Sequence, residues 1–293
     1  MLFNKENKTD SAVAASFALR TAVAALVFLC ACGKTPEAEP VQLPEETVAT
    51  PTEVPAAEVK EETEAVPTEA LSETPADEPA VNEKEEENMK DPVLLYQGHA
   101  SLRIVTGDDK VIYIDPFSGD GYDLPADLIL QTHDHFDHKD MSKIQSRTDD
   151  CRLITQVEAL AGGTHQNFDL GYVKVEAVEA GYNKNHNKNN CVGYILTFPN
   201  EVSVYVSGDT SKTEQMASLA DRNLDYAFYC CDGVYNMDAA GASECAALVG
   251  AKVNIPYHTG SAAVTNFDEE NAKRFNAPGA TVITPGSELV LKK

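Results

Sequence analysis

From Val93 to the C-terminus the chain is a succession of short apolar runs, each bounded by polar or turn-forming residues. "VLLYQ", "SLRIV" and "KVIYID" come first, with Gly107-Asp108-Asp109 turning between the last two. "DLILQT", "RLITQ", "YVKVEAVEA", "VGYILTF", "EVSVYVSG", "DYAFYCC", "KVNIPYH", "ATVITP" and "ELVLKK" follow. Runs of this length, rich in β-branched and aromatic residues and punctuated by turn formers, read as strands. Pro199-Asn200, between two of them, predicts a hairpin. Helices are expected near 138–147, 212–220, 238–250 and 267–275. The third is the clearest, Ala-rich with apolar residues on one face. A strand-rich first half followed by mixed strands and helices predicts a layered α/β domain with two sheets.

That domain occupies residues 91–293. The tract before it, 33–90, repeats Glu, Pro, Thr, Ala and Val and holds 17 acidic against 4 basic residues. It cannot bury enough apolar surface to offset its ordering entropy, and its like charges repel. We expect a disordered acidic linker there. Residues 1–32 read as an export signal: Lys5, Lys8 and Arg20 precede the 12-residue run "TAVAALVFLCAC", too short for a comfortable membrane span. Leu29-Cys30-Ala31-Cys32 resembles the bacterial lipoprotein box. The resemblance implies a lipid on Cys32, loss of residues 1–31, and an extracytoplasmic protein tethered to a membrane. An uncleaved N-terminal anchor is the alternative reading.

The folded part carries 28 acidic and 16 basic residues and no basic patch. Phosphate backbones should be repelled, so nucleic acid is not an expected partner. Its five cysteines, Cys151, Cys191, Cys230, Cys231 and Cys245, are odd in number and irregular in spacing. They form neither a zinc ribbon nor a disulfide framework and are expected as small buried residues. The oligomeric state is not legible.

The chemistry is concentrated in "QTHDHFDH", residues 131–138, which holds three of the chain's 7 histidines. His133, His135 and His138 offer imidazoles, and Asp134 and Asp137 offer carboxylates, a donor set that suits first-row divalent ions. In extended backbone, residues 133, 135 and 137 face one side. A turn at 137–138 would bring His138 to the same cavity. So many donors would crowd one ion, and two ions sharing them is the more natural arrangement. "DLILQT" runs into His133, "SVYVSG" into Asp209 and "VNIPY" into His258, so the candidate residues fall at strand ends, where a sheet can hold a site assembled from distant segments.

His133-x-His135-x-Asp137-His138 resembles the H-x-H-x-D-H motif of the metallo-β-lactamase superfamily. "IDP" at 114–116, "SGDT" at 207–210 and "IPYH" at 255–258 are similar to that family's other landmarks, in the same order. "GHAS" at 98–101, "IDPF" and "DGVYNMD" at 232–238 look most like the branch of metal-dependent hydrolases that includes L-ascorbate-6-phosphate lactonase. The resemblance covers essentially all of 91–293 and implies a four-layer αββα sandwich. It implies one metal held by His133, His135 and His186, a second held by Asp137, His138 and His258, and Asp209 bridging them. His186 is preferred to His165 because the family's ligand follows a strand like "YVKVEAVEA", whereas His165 precedes it. Zn²⁺ is the first expectation for both ions, with Mn²⁺ or Fe²⁺ as alternatives.

The implied reaction is metal-dependent hydrolysis of a small ester, lactone or phosphodiester by a metal-bridging hydroxide, with Asp137 orienting the nucleophile. His99 either lines the pocket as a further catalytic group or hydrogen-bonds in a turn. Asp115 either orients a metal-binding imidazole or caps the turn before Pro116. Tyr235 and Asn236 either contact substrate or belong to an ordinary polar loop. Among rivals, the superfamily's redox di-iron version carries Glu where His135 stands and a flavin domain, neither of which is present in this sequence. A nuclease would want a basic face. A non-catalytic, metal-binding surface lipoprotein of the same fold is the alternative function.

Overall fold

The computed structural model describes residues 90–261 and 266–293. The expectations for residues 1–32 and for 33–90, apart from Lys90, lie outside the described residues.

Alternation with a period of two organises the core. Leu94 and Tyr96, Leu102 and Ile104, Ile112 and Ile114, and Leu128 and Leu130 are all buried. They join Val175, Ala177, Tyr194, Leu196, Val204 and Val206 in one cluster. The residues between them point to the other side of their sheet. There Val111, Tyr113, Ala126 and Ile129 pack with Tyr122 and Ile144 in a second, smaller cluster. Each fully buried side chain of this size contributes about 1.5–3 kcal/mol.

The strands carrying this pattern are β1 (Val93–Gly98), β2 (Ser101–Val105), β3 (Val111–Ile114), β4 (Ala126–Leu130), β5 (Arg147–Ile154), β6 (Asn167–Asp169), β7 (Lys174–Glu179), β8 (Val192–Thr197), β9 (Ser203–Val206), β10 (Tyr226–Cys230), β11 (Val253–Tyr257) and β12 (Glu288–Val290). They form two six-stranded mixed sheets, ordered β12-β1-β2-β3-β4-β5 and β11-β10-β9-β8-β7-β6. The helices α1 (Gln156–Ala159), α2 (Ala239–Val249) and α3 (Glu269–Ala272) are short. α2 packs on β10 and β11, and a 3₁₀ segment at Gln215–Arg222 lies beside α2 and β7. Two mixed sheets flanked by helices make the αββα sandwich of the metallo-β-lactamase type, as the family resemblance implied. The expected hairpin joins β8 to β9, in register from Thr197↔Ser203.

Four local expectations are corrected. Residues 138–147 form no helix. They make 3₁₀ turns at Phe136–His138 and Met141–Lys143 and then enter β5. Their backbone groups bond outward, Asp140 N–H to the Pro116 carbonyl and Gln145 N–H to that of Tyr122, so no i→i−4 ladder forms. The helix expected at 212–220 is the 3₁₀ segment, docked where the Gln215 side chain accepts from Glu179 N–H. That expected at 267–275 is α3 alone, capped by Asp268. "ATVITP" contributes only an isolated bridge between Asn254 and Ala280 rather than a strand. α2 is bounded as expected, with Asp238 capping its start and Gly250 turning left-handed at φ 67° to end it. The five cysteines are free. Four are buried, and Cys151 sits half-exposed on β5, an edge strand.

Strand direction positions the site. β4 runs parallel to both β3 and β5, and β10 runs parallel to both β9 and β11. Parallel neighbours bring their C-terminal ends to the same edge of a sheet. Asp115 follows β3, His133 follows β4, Asp209 follows β9, Asp232 follows β10 and His258 follows β11.

Candidate metal centre

Three residues leave their strands with left-handed backbone: His99 (φ 51°), Asp115 (φ 46°) and His258 (φ 46°). Such conformations in non-glycine residues cost of order 1–3 kcal/mol each and persist only where surrounding contacts enforce them. The contacts are visible. His258 N–H donates to the His99 carbonyl at 2.8 Å, and that carbonyl also accepts from the Tyr96 hydroxyl at 3.1 Å. The Asp115 carboxylate accepts from Thr132 N–H (2.8 Å) and the Thr132 hydroxyl (2.6 Å). Gly208 turns the chain ahead of Asp209 at φ 61°, where a Cβ would lie 2.6 Å from the Val192 carbonyl oxygen.

His133 and His135 stand two apart on extended backbone, and the 3₁₀ turn beginning at Phe136 then swings Asp137 and His138 into the cavity. The turn begins one residue earlier than expected, so Asp137 leaves the face shared by His133 and His135. Asp134 is exposed and pairs with Lys139 at 2.6 Å.

The histidines and carboxylates gather in three overlapping groups, the ligand atoms within each lying within 4.8 Å of one another: His133, His135 and His186; His99, Asp137, His138 and His258; and His133, His138 and Asp209. In the first, His135 Nδ1 lies 3.0 Å from His133 Nε2 and 3.2 Å from His186 Nε2. In the second, His99 Nε2 lies 3.1 Å from Asp137 Oδ2, and the His99 and His258 rings are 3.7 Å apart. Asp209 reaches both. Its Oδ2 is 3.3 Å from His186 Nε2 and from His258 Nε2, and its Oδ1 is 3.6 Å from His138 Nε2. His165 is exposed and belongs to none of these groups; His186, on the Asn-rich loop, is the histidine brought in.

Hydrogen bonds on the far side of the rings fix which nitrogen faces inward. His138 Nδ1 donates to Asp115 Oδ2 at 2.8 Å. The Thr132 hydroxyl spends its one hydrogen on Asp115, so it accepts from His133 Nδ1 at 3.0 Å. Asn183 Oδ1 accepts two backbone N–H groups and faces His186 Nδ1 at 3.2 Å, which therefore donates. Asp232 Oδ2 lies 3.6 Å behind His258 Nδ1. In His133, His138 and His186 the Nε2 lone pair points at the centre. Such outer partners orient ligating imidazoles and raise their basicity.

Thr132, Asn183 and Asp232 carry no distinctive sequence signal. Asp232 could have been found as the carboxylate closing β10, in the manner of Asp115 closing β3. The sequence leaves Asn236 open between substrate contact and an ordinary polar loop. Its Nδ2 donates to Asp209 Oδ2 (2.9 Å) and Asp232 Oδ2 (2.8 Å), so it braces the site. Tyr235 lines the cleft.

The charges in the site act strongly on one another. Burial opposes ionisation of Asp209, but the His258 and His138 imidazoles outweigh it and hold the carboxyl well below the usual range. Burial likewise opposes protonation of His138, yet Asp209 and Asp115 lift it well above its ordinary value. His258 is raised against its burial by Asp209. Burial, followed by the neighbouring His138, pushes His133 well down, and burial lowers His186. His99 falls to about 4 through burial and His258. Asp137 is held low despite its burial by the His99 hydrogen bond and by His138.

The donor set fits divalent metal. Buried His138 Nε2, His258 Nε2 and Asp209 Oδ1 have no hydrogen-bond partner among the described residues, where an unpaired buried polar group costs about 1–3 kcal/mol. Donors about 2.0–2.1 Å from a tetrahedral zinc lie roughly 3.3–3.4 Å apart, close to the 3.0 and 3.2 Å between ring nitrogens of the first group. A cleft of about 270 Å³ opens over Asp137, His186, Asp209 and His258, with Phe136 and Tyr235 also lining it.

Comparison with known proteins gives the family and the fold. Residues 93–258, more than half of the chain, match the beta-lactamase superfamily domain. A metal-dependent hydrolase of Nitratidesulfovibrio vulgaris (strain DP4) is 29% identical over 234 residues, covering 68% of this chain and 95% of the relative. A crystallised candidate metal-dependent hydrolase from Parabacteroides distasonis ATCC 8503 is 29% identical, with 66% of this chain and 92% of that one covered and a TM-score of 0.54. Igni18, a metallo hydrolase from Ignicoccus hospitalis KIN4/I, is similar in fold at a TM-score of 0.56 and 22% identity, over 69% of this chain and 99% of its own.

Proposed function

The chain belongs to the beta-lactamase superfamily and is a metal-dependent hydrolase, and from that premise we propose that its centre holds two divalent ions and cleaves a small ester, lactone or phosphodiester. His133, His135 and His186 would hold one ion, Asp137, His138 and His258 the other, and Asp209 both. Zn²⁺ is the first candidate, with Mn²⁺ or Fe²⁺ as alternatives. Bound ions of this kind bring a water's pKa towards ~7 and polarise a carbonyl or phosphoryl oxygen.

The protein's own groups do the rest. Asp115 and Thr132 fix the His138 and His133 rings, Asn183 fixes His186, and Asn236 holds the Asp209 carboxylate in place. His99 donates to Asp137 and keeps it ionised. Asp137 lines the cleft, where it can accept a hydrogen of the attacking water and orient its lone pair. Phe136 and Tyr235 line the mouth of the cleft.

"GHAS", "IDPF" and "DGVYNMD" support a place near the lactonase-like branch. The lipoprotein box supports a mature protein anchored to a membrane through a lipid on Cys32, with 33–90 as an acidic linker to an extracytoplasmic domain. The observation that carries the dinuclear reading is the Asp209 carboxylate within 3.3–3.6 Å of imidazole nitrogens from both groups.

The test is a panel of 4-nitrophenyl esters, aliphatic lactones and bis(4-nitrophenyl) phosphate, run on purified protein before and after chelation. Turnover should vanish with the metal and return on adding Zn²⁺, Mn²⁺ or Fe²⁺. Two bound ions without turnover anywhere on the panel would favour the non-catalytic metal-binding alternative.

A further inference from the structure

Phe136 and Tyr235 are large apolar side chains left 68% and 49% exposed, and both line the cleft over the candidate metal centre. Exposed aromatics gathered at a concave site are informative where scattered ones are not. Both are held in place. The Phe136 ring meets Phe117 edge-on, centroids 5.8 Å apart at 87°. The Tyr235 segment is pinned from two sides. Asp232 Oδ1 accepts from Val234 N–H and Tyr235 N–H at 2.8 and 2.7 Å, and the Tyr235 carbonyl accepts from Asn185 Nδ2 at 2.8 Å. The braced Phe136 ring and the pinned backbone of Tyr235 therefore flank the approach to the candidate centre.

Charge narrows what can sit between them. Among the described residues no Lys or Arg lines this cleft. Lys184 and Lys188 line a neighbouring groove that shares Asn185 and His186 with the cleft, and Lys139 is paired with Asp134. A carboxylate or phosphate carried away from the reacting bond would lose water there and gain no cation, a costly exchange. An alkyl or aryl group would lose only unfavourable hydration.

We propose that the substrate's non-reacting end is an uncharged apolar group seated between Phe136 and Tyr235, so that the cleft selects against anionic, including phosphorylated, handles. This rests on the hydrolase reading of the same centre. It separates this cleft from one built for a phosphosugar, whose phosphate would require a basic partner.

The experiment compares 4-nitrophenyl hexanoate with mono(4-nitrophenyl) adipate, esters of equal chain length ending in methyl and carboxylate, on the metal-loaded protein. The corresponding 4-nitroanilides serve as slowly cleaved binding probes in calorimetry. The hexanoate should be preferred at least tenfold in kcat/KM, and its anilide should bind more tightly than the adipate anilide. Removing a ring that packs on substrate typically costs about tenfold or more. Phe136→Ala and Tyr235→Ala should each erode the preference about that much, with metal content unchanged, while Tyr235→Phe keeps it. Equal or better use of the adipate ester, or tighter binding of its anilide, overturns the proposal while leaving hydrolysis intact. If neither ester turns over, hydrolysis of such esters is refuted and the anilide affinities alone decide the handle. A preference unchanged in both alanine variants also overturns it.

Discussion

The two halves of the centre are built to different standards. His138 and His258 are buried, each with a carboxylate behind its Nδ1, Asp115 at 2.8 Å and Asp232 at 3.6 Å. Across Asp209, His135 is exposed, and His186 rides on the Asn-rich loop, where a neutral amide, Asn183, stands behind its ring. A carboxylate makes an imidazole a stronger donor than an amide does, and burial strengthens every charge interaction around it. One half is thus a rigid, electron-rich pocket at the sheet edges, and the other is more open, with a loop for one wall. Such an arrangement predicts unequal metal affinity, the carboxylate-backed half filling first.

His186→Ala strikes the open half alone and should have the largest effect of this set. Hydrolysis should fall by more than the ~10–100-fold typical of losing an outer partner, while elemental analysis still finds the ion of the buried half. Loss of both ions would mean the halves do not differ as described. Asp115→Asn comes next. Its single acceptor oxygen cannot face both Thr132 N–H and His138 Nδ1, which the two carboxylate oxygens serve separately, so metal affinity of the buried half should drop about 10–100-fold. Thermal unfolding should report a loss of about 1–3 kcal/mol from the unpaired buried groups. Thr132→Val removes the hydroxyl that accepts from His133 and donates to Asp115, and a metal competition titration should show a change of about tenfold or less, larger in the open half. His165→Ala, on an exposed turn outside the centre, should leave metal content and turnover where they were. A change there would show that the Asn-rich loop does not supply the ligand.

The contrast also explains what could be read from the sequence. Ligand candidates were legible because His and Asp at the ends of apolar runs are rare and chemically distinct, and because the strands that hold them are short apolar runs buried at nearly every position. Among their supports Asp115 was legible as a carboxylate closing an apolar run, but Thr132 and Asn183 were not, since they are residue types common in every turn and cap. The helix expected at 138–147 failed for a related reason. Its apolar spacing is real, but Asp140 and Gln145 spend their backbone bonds on the 116–122 segment, a tertiary choice no local pattern records. The first half of β5, "RTDDC", is polar because it is a sheet edge facing solvent, and β6 is three residues long. Left-handed backbone at His99, Asp115 and His258 likewise has no local signature in non-glycine residues.

Asp209 is where the two halves meet, and the central claim stands or falls there. The most direct measurement is the metal content of wild type and Asp209→Ala, both purified without chelator and then titrated with Zn²⁺ alongside a competing indicator. Wild type should bind two ions per chain in two unequal steps, and Asp209→Ala should lose affinity in both steps together with hydrolysis. A single ion in wild type, or two undiminished steps in Asp209→Ala, would contradict a centre in which one carboxylate serves two ions.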